Sequence, residues 1–131
     1  MDEPPPLKPM FFVVEAARDD LMAVPLPVRQ EFGHALYVVQ TGGTPAQSKP
    51  LHGFGSGVLE IVENQDGDTY RAIYTVRFEE AIYVLHVFKK KSHSGIKTPQ
   101  RELDTLKSRL LRALQLHEEH LRAQAEKEQK P

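Results

Sequence analysis

The chain has 131 residues, of which 40% are hydrophobic and 27% are charged, and its formal net charge is -1. This length and composition predict one globular domain with a single core, and they exclude a largely disordered chain. The absence of cysteine from the sequence excludes disulfides, thiolate nucleophiles and cysteine-ligated zinc. The longest apolar run near the start, residues 10–14, is far too short to span a membrane, so we expect a cytoplasmic protein.

One stretch of the chain carries cations without any acidic residue. It lies between Glu80 and Glu102. Its basic residues are Lys89, Lys90, Lys91, Lys97 and Arg101. A solvated loop and a binding surface for a polyanion both explain such a run, and composition by itself favours the loop.

The N-terminal part of the chain predicts a short strand followed by two helices. Residues 1–8 are rich in proline and predict a flexible lead-in. Residues 10–15 are apolar and β-branched, which is typical of a strand whose partner lies elsewhere in the sequence. From Arg18 the pattern is helical, and Pro25 and Pro27 divide it into two helices. We expect these helices to form a hairpin over one face of a sheet.

The middle of the chain predicts a meander of three antiparallel strands. Residues 44–57, with several prolines and glycines, predict a loop that leads into it. The strands are predicted at residues 58–63, 69–78 and 81–88. Asp66 and Gly67 tolerate the positive φ of a hairpin turn between the first two strands.

The C-terminal part of the chain predicts one helix. Thr98 and Pro99 suit an N-cap and a first helical position. A stripe then recurs at spacings of three and four, formed by Leu103, Leu106, Leu110, Leu114, His117 and Leu121. The stripe predicts docking on the sheet or on a second copy of the chain, and residues 122–131 predict a frayed tail. We therefore expect an α+β domain over residues 9–121, with a small twisted, mainly antiparallel sheet, an N-terminal helical hairpin and a C-terminal helix.

Two segments carry a resemblance to a known family. They are PLHGFGSGVLEI, which starts at Pro50, and TYRAIYTVRFEEAIYVLHVFKKKSHSGIKTP, which starts at Thr69. Over residues 9–121 the chain resembles the RelE/ParE superfamily of toxins from type II toxin–antitoxin systems, and within it the phage-derived HigB-like branch. The resemblance implies a RelE-like fold and a ribonuclease that needs neither metal nor cofactor and cleaves messenger RNA, in many relatives on the ribosome. It also implies a cognate antitoxin as partner, often a helix-turn-helix protein.

The resemblance also implies a set of catalytic residues. In the family's reaction the ribose 2′-hydroxyl attacks the phosphate, which requires a base, cations that stabilise the phosphorane and an acid. Arg71 matches the family's strand arginine, and Lys90 and Lys91 match its lysine pair after an aromatic residue. Because adjacent residues of an extended segment point to opposite sides, only one of the two lysines can face Arg71. The family does not fix a histidine in the following loop, but His93 there is the candidate acid because an imidazole titrates near neutral pH.

Other basic residues and histidines have more than one interpretation. We predict a role in RNA binding for Lys49, His52, Lys89 and Arg77. His86 and His117 are interpreted as packed core histidines. The spacing of three between His117 and His120 does not suit a zinc site of the protease type, and no metal site is predicted.

One departure from the family pattern keeps other functions open. Val62 stands where many relatives carry an arginine, so one cation of the expected site is missing. The first alternative is the non-enzymatic branch of the superfamily, which inhibits DNA gyrase by protein binding. The second is a phage-derived protein that binds an antitoxin but has lost the ribonuclease activity.

Overall fold

A computed structural model describes residues 6–90 and 98–129 of the chain. Along the chain the elements are β1 (Met10–Phe12), α1 (Glu15–Ala23), α2 (Leu26–Gln40), β2 (Ser48–Pro50), β3 (Val58–Gln65), β4 (Asp68–Thr75), β5 (Ile82–Lys90) and α3 (Gln100–Gln129). In the described part, none of the helices combines the length and the apolar character that crossing a membrane requires.

The five strands form one sheet in the order β1-β5-β4-β3-β2. Strand β1 pairs with β5 in parallel, and the other neighbours are antiparallel. Asp66 and Gly67 have φ angles of 51° and 83°, which form the predicted hairpin turn between β3 and β4. The expected α+β fold with a mainly antiparallel sheet is confirmed.

Helices cover both faces of the sheet. On one face, α1 and α2 pack together with the strands around a core that includes Leu21, Val28, Phe32, Leu36, Ile61, Tyr74 and Val84. On the other face, α3 packs over a second group of side chains, among them Val58, Ile73, Tyr83, Leu85, Leu106 and Ala113. Each large apolar side chain that is removed from water in this way stabilises the fold by roughly 1.5–3 kcal/mol.

The predicted strands over residues 10–15 and 69–78 end three residues early in the structure, at Phe12 and Thr75. The structure differs from the predicted elements at three further places. The predicted loop over residues 44–57 contains β2, a three-residue edge strand that pairs with β3. A three-residue strand that ends in proline is too short for an alternation pattern, and an edge position accommodates the missing N–H of proline. Helix α1 begins at Glu15, earlier than the helical pattern indicated. Helix α3 continues to Gln129, into the range that was expected to fray, with exposed side chains over residues 121–129.

Candidate functional site

A cluster of charged side chains lies on the face of the sheet that α3 covers, next to the start of that helix. Glu60 of β3 is at its centre, with only 3% of the residue exposed. Its Oε2 accepts a hydrogen bond of 2.7 Å from Nη1 of Arg71, and its Oε1 lies 3.5 Å from Nζ of Lys49. The sheet register explains the cluster, because Lys49 is directly opposite Glu60, and Arg71 is opposite the next residue of β3 on the same face.

Lys90, at the end of β5, is a third cation of this cluster. It is 5% exposed, and its strand partner Thr69 lies on the same face as Arg71. Burial lowers the pKa of Lys90 and the charge of Arg71 lowers it further, whereas Glu60 raises it. The cluster therefore carries three cations and one carboxylate and has an excess of positive charge. Arg71, Lys90 and Glu60 are largely buried, whereas the side chain of Lys49 is 62% exposed.

Lys49, Glu60 and Arg71 of the cluster form the floor of an open cleft of about 760 Å³. The cleft is lined by Lys49, Pro50, Leu51, His52, Glu60, Arg71, Thr98, Gln100 and Leu103. Nε of Arg71 is buried and has no hydrogen-bond partner among the described residues. An unpaired buried donor costs about 1–3 kcal/mol, so an anion in the cleft that accepts from this nitrogen would recover that free energy.

The structure brings three of the predicted site residues to the lining of this cleft, Lys49, His52 and Arg71, and Lys90 lies buried beside them on the same face of the sheet. Of the predicted pair Lys90 and Lys91, Lys90 lies on the same face of the sheet as Arg71. Lys91 and His93 lie outside the described residues.

Two other predicted RNA-binding residues lie away from the cleft. Lys89 is opposite Tyr70 on the other face of the sheet, and its Nζ lies 3.1 Å from Asp68. Arg77 follows the far end of β4, and its guanidinium donates to the carbonyl oxygens of Phe54 at 2.6 Å and Ser56 at 3.1 Å. Arg77 therefore supports the glycine-rich loop before β3, and the structure does not place it with the other cations.

Glu60 is a member of the cluster that was not among the predicted site residues. The sequence does hold a signal for it, since the turn at Asp66 and Gly67 defines the register of the β3–β4 hairpin. Counting back from that turn places Glu60 diagonally beside Arg71, at a distance that a glutamate and an arginine can bridge.

His86 and His117 are buried, in agreement with their interpretation as core residues. His86 hydrogen-bonds to Glu102 and Arg109 of α3. His117 of α3 contacts Tyr83 through Nδ1 at 3.1 Å, and its ring stacks on Phe78. Within residues 6–90 and 98–129, no group of three or more acidic or histidine side chains is arranged to hold a metal ion.

Comparison with known proteins assigns the chain to a family. The family described as phage-derived protein Gp49-like (DUF891) matches residues 19–111, which is more than half of the chain. The chain belongs to the Gp49-like family. In this Gp49-like protein, the matched range contains every described residue that lines the cleft.

One solved structure is similar to this Gp49-like protein, with a TM-score of 0.45 and 20% sequence identity. It is that of the RelBE2 toxin–antitoxin complex from Mycobacterium tuberculosis, and the similarity covers 68% of this chain and 98% of that chain. No curated protein matches the sequence.

Proposed function

We propose that this Gp49-like protein is the toxin of a type II toxin–antitoxin system and that it is an endoribonuclease acting on messenger RNA. The observation that carries the proposal is the convergence of Lys49, Arg71 and Lys90 around one cleft with an excess of positive charge. A phosphodiester backbone is an anion with regularly spaced charges, and buried cations bind it more strongly than solvated ones.

The cleft offers the groups that attack by a ribose 2′-hydroxyl requires. The planar guanidinium of Arg71 can donate to two oxygens of the phosphorane, and its unpaired Nε, which is buried, would serve one of them after a shift of the side chain. Lys90 adds a second positive charge close to Arg71. Because its pKa is lowered, a larger fraction of Lys90 is neutral than of an exposed lysine, and this neutral amine could accept the proton of the 2′-hydroxyl. A reaction of this kind proceeds without a metal ion.

The partners and the setting follow from the same proposal. The resemblance of residues 69–99 to HigB-like toxins supports a cognate antitoxin, a messenger RNA substrate read on the ribosome and a cytoplasmic location. Pairing with a second copy of the chain through α3 belongs to the same proposal, since Leu111 and Leu121 of that helix are 63% and 43% exposed.

A second candidate function is RNA binding without cleavage. The observation that favours it is the position of Glu60, whose carboxylate already engages Arg71 and Lys49. A fixed carboxylate there offsets part of the positive charge that a phosphorane needs, and Val62 supplies no cation in compensation. In this case the cleft would hold RNA for binding alone.

The experiment is induced expression of the chain and its variants, followed by mapping of RNA 5′ ends. The wild type is expected to arrest growth and to produce new 5′ ends, and Arg71→Ala is expected to abolish both. Arg71→Lys keeps a charge beside Glu60 and tests the need for the planar fork. Arg122→Ala is the matched control, since Arg122 is 74% exposed on α3 and is expected to leave cleavage unchanged.

Each other outcome excludes one of the candidates. Cleavage that persists in a folded Arg71→Ala protein would show that the cleft is not the active site. Intact transcripts together with RNA binding that depends on Arg71 would establish the second candidate. Intact transcripts with DNA-damage signalling would point to a gyrase inhibitor.

A further inference from the structure

A partly buried hydrogen-bond network joins β5 to the first turns of α3. His86 of β5 is 7% exposed, and its Nε2 bonds to the carboxylate of Glu102. Its Nδ1 lies 2.9 Å from Nη1 of Arg109, and the same nitrogen of Arg109 donates to the carbonyl oxygen of Leu85 at 3.1 Å. Phe88 stacks on the imidazole at a centroid distance of 4.9 Å, so the ring is held from one side as well.

The partners of His86 determine its protonation state. A guanidinium has donors and no acceptor, so Arg109 must donate and Nδ1 of His86 must accept. The remaining proton of a neutral imidazole is then on Nε2, where it is donated to Glu102. While His86 is neutral, each of its two ring nitrogens has a hydrogen-bond partner of the right kind: Nδ1 accepts and Nε2 donates. A proton on Nδ1 would place two donors and two positive charges against each other.

The network is also close to the wall of the cleft. Glu102 lies in the first turn of α3, between Gln100 and Leu103, which both line the cleft. Arg109 lies about two turns further along the same helix. His86 therefore bonds to α3 at two positions, about two turns apart, and it holds the helix beside the floor formed by Arg71 and Glu60.

We propose that neutral His86 is a positioning residue that fixes the first turns of α3 as the wall of the cleft, and that its protonation releases this wall. The reason is geometric, because a single ring bonds to both Glu102 and Arg109, and only its neutral form is compatible with Arg109. The cleft is then complete near neutral pH and loosens in acid.

The charges around His86 determine the direction of its titration. Burial is the largest effect, and it lowers the pKa of His86 below 6.5; the charge of Arg109 in α3 lowers this pKa as well. The hydrogen bond and the charge of Glu102, and the charge of Asp20 in α1, act in the opposite direction and raise it. Three further cations are near His86. Arg71 lies on the same face of the sheet, two positions along β4 from Ile73, the strand partner of His86, and Lys89 lies on the opposite face. Arg101 lies 3.7 Å from Glu102.

The sign of the pH dependence follows from these effects. The unfolded chain binds a proton at His86 near the usual value of 6.5, and the folded chain binds it at lower pH. The stability that His86 contributes is thus complete above 6.5 and is lost as pH falls through the lowered pKa of the folded protein.

The test combines nitrogen-15 NMR of the imidazole with amide hydrogen exchange in the full chain. In the wild type, the Nε2–H tautomer is expected at pH 7. Below the pKa of His86, exchange of the amides of residues 104–109, corrected for the intrinsic rate, is expected to accelerate by about tenfold for each unit by which the pKa is lowered. His86→Gln keeps a donor and an acceptor without a titrating group, so it is expected to remove this acid response while retaining protection at pH 7.

His34→Gln is the matched control, since His34 is exposed on α2 and its loss is expected to leave the acid response in place. The proposal is wrong if protection of residues 104–109 stays constant while His86 titrates, or if His86→Gln keeps the acid response. If His86→Gln does not fold, the titration of the wild type decides by the same criterion.

The consequence for RNA rests on the proposed function, and a separate measurement keeps the two apart. Affinity for a short single-stranded RNA is expected to fall in acid in the wild type and to a smaller extent in His86→Gln. Failure to bind RNA at any pH, together with an acid response of α3 that depends on His86, would refute the proposed function and support the positioning role. RNA binding with equal acid dependence in both proteins would refute the positioning role.

Discussion

Lys90 is a charged side chain in a position that disfavours its charge. It is 5% exposed, and the described residues provide no ion pair for it within 4.0 Å. Burial and the neighbouring Arg71 lower its pKa from 10.5, so the charged form destabilises the folded protein at neutral pH. A residue that destabilises the fold and lies beside a cationic cleft is expected to serve binding, since sites often retain such groups at the expense of stability.

Lys90→Met is expected to leave the free energy of unfolding unchanged or to raise it by about 1 kcal/mol at pH 7, because it removes a buried charge and keeps the apolar stem. The same substitution is expected to weaken RNA binding. The difference in stability from the wild type should shrink as pH rises through the lowered pKa of Lys90, where the wild-type lysine becomes neutral. Urea unfolding at several pH values measures this.

Lys89→Met is the matched control for the adjacent position. Lys89 is exposed on the other face of the sheet, so its loss is expected to change stability and RNA affinity little. A loss of more than about 1 kcal/mol in Lys90→Met would show that its ammonium stabilises the fold, contrary to the direction of its pKa.

At the scale of elements, the glycine-rich loop before β3 determines how that strand enters the sheet. Gly55 and Gly57 have φ angles of 83° and 80°, which side chains rarely allow. A Cβ on Gly57 would lie 3.1 Å from the backbone of Arg77, and Arg77 in turn binds the loop carbonyls. The loop and the end of β4 therefore form one unit, and this unit positions β3 with Glu60.

Gly57→Ala is expected to destabilise the protein by about 1–3 kcal/mol, because the new methyl group meets backbone atoms at a positive φ. Gly33→Ala is the matched control, since Gly33 is an exposed residue of α2 with open space around it and a negative φ. There the substitution is expected to stabilise by about 0.5–1 kcal/mol. Thermal unfolding of both variants measures the contrast, and equal effects of the two would contradict the account of the loop.

At the scale of the whole molecule, one end of α3 packs on the sheet and the other extends beyond it. Leu106, Ala113 and His117 are buried, whereas all side chains over residues 121–129 are exposed. The part of the helix that stabilises the domain is thus the part that also forms the wall of the cleft. The domain boundary predicted at residue 121 is consistent with this division, and it remains a prediction.

Deletion of residues 122–131 is expected to shift the midpoint of thermal unfolding by less than about 2 °C, since exposed side chains contribute little to stability. By contrast, Leu106→Ala in the packed part of α3 is expected to cost about 2–5 kcal/mol. Circular dichroism melts of the two variants test the division. If the deletion lowered the midpoint of thermal unfolding by much more than this, the end of α3 would be shown to stabilise the domain or an assembly of it.

Local patterns predicted much of the fold because local physics dominates there. The turn at Asp66 and Gly67, the proline that separates α1 from α2 and the alternation along β4 each act within a few residues. Strand β2 was not predicted, because three residues are too few to show a periodic pattern. The strand that pairs with β1 was not predicted either. Its pairing with β5 joins positions about seventy residues apart, and no local signal encodes such a contact.

The features of the candidate site also fall into a group that local sequence determines and a group that depends on contacts between distant parts of the chain. The sequence by itself determined that Arg71 is on a strand, that cations cluster after Phe88 and that only one of two adjacent lysines can face Arg71, because residue type and alternation are local properties. The register of the β3–β4 hairpin also places Glu60 beside Arg71. Only the tertiary structure decided that Lys90 is buried, that Lys49 joins Glu60, that Arg77 supports a loop and that His86 binds α3. These facts depend on which strands are neighbours and on where α3 packs, and burial and pairing of charges exist only once those contacts have formed.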